Sequence, residues 1–180
     1  CKENGATDVR TSEDEMKRAL LTMSRKRAFG AMGRLSPSYY VQDGVVPRTK
    51  IPDIMRVIQA TAKKYELLIG NVFHAGDGNI HPCIAYDDRD EDQTRRNVEA
   101  SNEILQACVN LGGSITGEHC IGYEKVDLMP LIFEKQDIQA MEMVKDIFDA
   151  NHLSNPGKMF PINRSCIGCG TVELKYTNRK

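Results

Sequence analysis

The sequence has no tryptophan, only 6% aromatic residues and no excess of either charge, with 24 Lys+Arg against 25 Asp+Glu in 180 residues. Without a basic excess it lacks the electrostatic footprint that attracts nucleic-acid phosphates or an anionic membrane surface. No apolar run approaches the ~18–20 residues of a membrane-spanning helix. A glycine-rich pyrophosphate loop is also missing, so nothing in the chain reads as a dinucleotide-binding half. The start, Cys1-Lys2-Glu3-Asn4, is neither an initiator Met nor the basic-then-apolar opening of a secretory signal, which points to a chain cut from a longer one. Six cysteines fall far below the density of a disulfide scaffold, so the thiols are expected to be mostly reduced and intracellular. The expected location is cytoplasmic, or peripheral to the membrane through partner subunits. Cys166-Ile-Gly-Cys169 lacks a second pair and reads as tail thiols or as a metal, redox or interchain contact.

What is present is 41% hydrophobic side chains in a length suited to one domain. Ser12 before Glu13, Asp14 and Glu15 reads as an N-cap, opening a helix through Met16, Leu20 and Met23 toward Phe29. Residues 39–46 are β-branched and aromatic, a strand that Pro47 ends. Ile54, Val57, Ile58 and Ala62 recur at three- and four-residue spacing, which predicts a helix over 52–65 with one buried face. Two apolar runs, 67–73 and 80–86, flank Gly76-Asp-Gly-Asn79 and predict a hairpin. A helix follows the acidic stretch 87–92, burying Val98, Ile104, Leu105, Cys108 and Val109 and stopping before Gly112-Gly113. Short helical material then leads to a last helix over about 135–150, which Asn155-Pro-Gly157 terminates. Met141, Met143 and the other methionines read as core filler, and His152 as a solvated cation at a helix end. Together these predict an α+β fold, an antiparallel β-sheet covered by helices.

Four histidines occur, at 74, 81, 119 and 152. With Asp77-Gly78 as a two-residue turn, His74 and His81 become direct cross-strand neighbours on one face. Two imidazoles held so could share a divalent ion such as zinc or manganese, or could simply fill a half-polar sheet face. Glu118-His119, in the glycine-punctuated segment 113–122, adds a carboxylate and a third imidazole. In an extended segment these two side chains point opposite ways, so one would ligate and the other serve a different role.

His74-Ala-Gly-Asp-Gly-Asn-Ile-His81, Thr116-Gly-Glu-His-Cys-Ile-Gly122, Asn155-Pro-Gly-Lys-Met-Phe160 and Tyr39-Tyr-Val-Gln-Asp-Gly-Val-Val-Pro-Arg48 together resemble the C-terminal cap domain of FAD-linked 2-hydroxy-acid oxidases and dehydrogenases. This group contains glycolate oxidase flavoprotein subunits and D-lactate dehydrogenases, within the vanillyl-alcohol-oxidase-like superfamily. The resemblance covers residues 1–162 and leaves 163–180 as a tail with the CxxC pair. It implies a metal held by His74, His81 and Glu118, a general base at His119, and a substrate carboxylate bound by Arg25 in Ser24-Arg-Lys-Arg27. It also implies flavin contacts from Gly76, Gly78, Asn79, Asn155 and Lys158, although Asn155-Pro-Gly157 is equally explained as a helix terminator.

The implied chemistry is coherent. A metal lowers the pKa of the hydroxyl of a small 2-hydroxy acid, His119 takes the proton, and hydride passes from the α-carbon to FAD. The implied partner is an iron–sulfur or electron-transfer flavoprotein subunit. Cys120 stands where the resembling proteins carry Gly, and Thr22 and Ser24 replace the usual Trp and Gly. The FAD-binding domain is missing, so the chain is expected to be inactive alone. A non-catalytic metal-binding or assembly module, docking a partner through the CxxC tail, is the alternative, and a small zinc hydrolase a third.

Overall fold

The computed structural model describes residues 1–161. Cys166, Cys169 and the expected domain limit at 162 lie outside the described residues. The elements run α1 (Glu15–Lys26), α2 (Ala28–Met32), β1 (Ser38–Val41), β2 (Gly44–Val45), α3 (Ile51–Lys64), β3 (Leu68–His74), β4 (Asn79–Tyr86), α4 (Glu91–Asn110), α5 (Gly122–Lys125) and α6 (Lys135–Phe148).

β4 is the centre of one antiparallel sheet, with β1 and β2 along one side and β3 along the other. Ile80, Cys83 and Ile84 are fully buried in it, as expected of a strand covered on both faces. β1 and β2 are one strand by register: Val41 pairs with Cys83 and Gly44 with Ile80, so the count across Gln42-Asp43 is unbroken. The run expected over 39–46 therefore exists, with a local break in its ladder.

On one face α3 and α4 lay Ile54, Ile58, Ile104 and Cys108 against Ile80 and Val46. All six are essentially inaccessible, and each buried branched side chain contributes roughly 1.5–3 kcal/mol. On the other face Met32 of α2 packs on Cys83 and Ala85, flanked by Phe29, Val41 and Val72. This second face is only partly covered, and it carries the site.

Four local expectations are corrected. α1 is capped by Asp14, whose carboxylate accepts from Lys17 N at 2.8 Å, while Ser12 Oγ accepts from Asp14 N. The helix does not run to Phe29 but breaks at Arg27. On α4 the buried stripe is Asn97, Ser101, Ile104 and Cys108, at alternating spacings of four and three, which turns Val98 outward. Of the methionines, Met32 and Met129 fill the core, whereas Met16 and Met143 are exposed.

Candidate metal centre and substrate cleft

β3 ends with His74 paired to Asn79, and His81 pairs with Val72. The two histidines are thus diagonal neighbours, two residues away from the direct opposition expected of an Asp77-Gly78 turn. That turn would need positive φ at both central residues, and only Gly78 has it. Instead Asp77 N donates to His74 O, and four residues, 75–78, make the loop. A slip of two preserves the face, because side chains alternate with a period of two. The rings still meet, with centroids 5.6 Å apart at 84°.

The Glu118-His119 segment reaches them because glycine lets backbones close up. A Cβ on Gly113 would lie 1.8 Å from Val45 O, and one on Gly117 would lie 2.8 Å from the Asn79 carboxamide. Val45 and Ser114 exchange backbone hydrogen bonds across this contact. The result is a convergence on one atom: Glu118 Oε1 lies 3.0 Å from Nε2 of His81 and 3.6 Å from Nε2 of both His74 and His119. His119 stacks on His81 with centroids 5.1 Å apart at 19°.

Hydrogen bonding settles which nitrogen of His81 faces this centre as a lone pair. Nδ1 lies 3.1 Å from the carbonyl of Gln42, which can only accept, so Nδ1 carries the proton. Nε2 and Glu118 Oε1 are then two acceptors 3.0 Å apart, an arrangement that needs a proton or a cation between them. Donor atoms of His74, His81 and Glu118 lie within 4.8 Å of one another, so these residues fit a divalent ion. Asp43, His81 and His119 are as close, but that carboxylate and that Nδ1 are already hydrogen-bonded, and this trio does not fit one.

Asp43 sits opposite His81 in the strand register and is wholly buried. Its Oδ2 accepts from Thr116 Oγ1 (2.9 Å) and from the N–H groups of Gly117 (2.9 Å), Glu118 (3.1 Å) and His119 (3.0 Å). Burial alone would raise its pKa, but these donors and the Lys125 ammonium hold the carboxyl well below the usual range. Lys125, also buried, donates through Nζ to Asp43 O at 3.2 Å and Ile115 O at 3.1 Å; its own pKa is lowered by burial, with Asp43 opposing.

The cleft, about 230 Å³, is lined by Arg25, Lys26, Phe29, Val72 and the Glu118–histidine cluster. Arg25 Nη2 lies 3.2 Å from His74 Nδ1 and 3.4 Å from Phe73 O. Arg25, His74, His81, Glu118 and His119 are therefore brought to one cleft; the opposed directions expected for the 118 and 119 side chains are corrected, because this segment is bent and not extended. Gly78 and Asn79, expected at the flavin, have packing roles: a Cβ on Gly78 would lie 2.0 Å from Val46 O, and Asn79 is buried beneath Gly117. Gly76 lies open in the loop. Asn155 and Lys158 form an exposed turn after α6, with Lys158 N donating to Asn155 O. His152 is exposed beside Asp146, outside the site. Asp43 and Lys125 were not anticipated; the one available signal was an acidic residue in mid-strand.

A sheet carrying two histidines on one face and a glycine-tethered Glu-His loop across it defines a class: the chain belongs to the family described as FAD linked oxidases, C-terminal domain, whose model matches residues 1–159. It is 42% identical over 172 residues to glycolate oxidase subunit GlcD of Escherichia coli (strain K12), covering 96% of this chain and 34% of that protein. It is 39% identical over 160 residues to glycolate oxidase subunit GlcD of Bacillus subtilis (strain 168), covering 89% of this chain and 34% of that protein. It is 29% identical over 162 residues to D-lactate dehydrogenase (cytochrome), mitochondrial, of Arabidopsis thaliana, covering 89% and 28%. The chain thus spans about a third of the length of these relatives.

Proposed function

We propose that this domain supplies the substrate- and metal-holding half of an FAD-dependent oxidoreductase acting on a small 2-hydroxy acid of the glycolate or D-lactate type. The observation that carries this is the convergence of three imidazole Nε2 atoms on Glu118 Oε1, beside two cations in a small cleft. FAD, bound outside this domain, is the electron acceptor. His74, His81 and Glu118 would hold a divalent ion, zinc or manganese, which would supply Lewis acidity at the substrate hydroxyl.

The chain's own residues do the rest. Arg25 and Lys26 attract the substrate carboxylate, and the planar Arg25 fork can hold both its oxygens. Phe29 and Val72 form an apolar wall suited to a hydrogen or methyl substituent. His119 is half-exposed, stacked and hydrogen-bonded through its backbone to Asp43, and accepts the hydroxyl proton at Nε2. The words subunit and cytochrome in the relatives' names support an acceptor beyond the flavin on a partner, of iron–sulfur, flavoprotein or cytochrome type.

The test is His119→Gln in the flavin- and metal-loaded enzyme. Turnover of glycolate and D-lactate should fall by about 10²–10⁴-fold with metal and FAD content unchanged. Normal turnover would remove His119 as the base.

A further inference from the structure

The loop over 116–121 has no helix or ladder of its own to fix it. Three consecutive N–H groups, those of Gly117, Glu118 and His119, instead point at one oxygen of Asp43, with the Thr116 hydroxyl as a fourth donor. Such charge-assisted bonds to a fully desolvated carboxylate hold geometry tightly. Asp43 lies at the break between β1 and β2, held next to the Gln42 N–H bond to Pro82 O and by Lys125, which bridges the Asp43 and Ile115 carbonyls. The next residue back, Gln42, uses its carbonyl to orient His81.

We propose that Asp43 is the positioning residue of the metal-holding loop: its carboxylate fixes the backbone from which Glu118 and His119 project, and so sets the affinity of the His74, His81 and Glu118 trio for a divalent ion. This rests on the metal reading above. Asp43 lies outside that trio and acts through the peptide groups of Gly117, Glu118 and His119. Outer-shell partners of metal ligands of this kind change affinity by about 10–100-fold when replaced.

The test is titration of the purified full chain with Co²⁺, reading affinity and the d–d absorption of the bound ion. Asp43→Asn should lower Co²⁺ affinity by about 10–100-fold and alter the spectrum, because Glu118 no longer approaches in register. Ile104→Ala, a core truncation on the opposite face, should lower stability while leaving Co²⁺ affinity and spectrum unchanged. If Asp43→Asn does not fold, Thr116→Val, which removes one donor to the carboxylate, should still weaken Co²⁺ binding by about threefold. Unchanged affinity in a folded Asp43→Asn, or in Thr116→Val, overturns the proposal, as does a parallel loss in Ile104→Ala. Failure of the underlying reading looks different: the wild-type chain then binds no Co²⁺, or binds it equally well after joint replacement of His74 and His81 by Ala.

Discussion

Nη2 of Arg25 stands 3.2 Å from Nδ1 of His74, so the cation expected at the substrate carboxylate is hydrogen-bonded to a residue expected at the metal. A guanidinium only donates, so Nδ1 here is the acceptor and the His74 proton resides on Nε2. Binding an ion through Nε2 moves that proton to Nδ1, where it would face the guanidinium donor, and Arg25 must leave. Arg25→Met should therefore tighten Zn²⁺ binding by about two- to fivefold in calorimetry, equivalent to one exposed hydrogen bond. Weaker binding would show that Arg25 supports the site and does not compete for it.

Cys83 and Cys108 lie fully buried, and burial pushes their thiols up to about 11 and about 12. At pH 8 iodoacetamide should modify Cys1 and Cys120, the exposed cysteines among the described residues, and spare these two until the chain unfolds. Mass spectrometry of the labelled peptides gives the answer.

The same thiols set an alkaline limit. Above pH ~9 the unfolded chain releases these protons while the folded chain keeps them, so stability is full below the ordinary thiol pKa and declines as pH rises through 11. The slope should be about 1.4 kcal/mol per pH unit for each thiol. Urea midpoints between pH 8 and 11 should fall in wild type and fall less steeply in a Cys83→Ala, Cys108→Ala double variant, the Tyr40 and Tyr86 hydroxyls, also raised by burial, keeping the remaining slope above pH ~10.

Gly113 and Gly76 should respond oppositely to a methyl group. At Gly113 a Cβ meets Val45 O at 1.8 Å and would part the bridge that carries the Glu118 loop; at Gly76 it meets nothing within 4 Å. Gly113→Ala should cost about 2–4 kcal/mol in urea unfolding and Gly76→Ala less than about 0.5 kcal/mol.

Cys120 occupies a left-handed conformation, φ 61°, at the position where the resembling proteins carry Gly. Relief of about 1–2 kcal/mol of backbone strain outweighs the chain entropy that glycine adds, so Cys120→Gly should be stabilising by about 0.5–1 kcal/mol. A lower denaturation midpoint would instead show that the Cys120 side chain contributes packing.

Much of this was legible in the residues because it is local. The period of Ile54 and Ile58, the apolar runs around Gly76 to Asn79, and the stop at Gly112-Gly113 each place an element within a few residues of where it lies. The loop length was misjudged because dipeptide identity does not fix φ, and Asp77 stays out of the left-handed region. Asp43 stayed hidden for another reason. Its partners are 73 to 76 positions away, and nothing nearby in the chain indicates that a mid-strand carboxylate will be buried against four donors. Arg25 meeting His74 is likewise a product of packing, the two lying 49 positions apart.

The β3–β4 register, with Phe73 opposite Ile80 and His74 opposite Asn79, limits how this hairpin can shift. A slip of β3 along β4 by one residue would turn His74 toward Ile80 and the helices α3 and α4, whereas a slip of two would keep both imidazoles on the open face. Residues added at the open Gly76 leave that register alone, so the loop can lengthen by one residue or by two without moving either imidazole off the face.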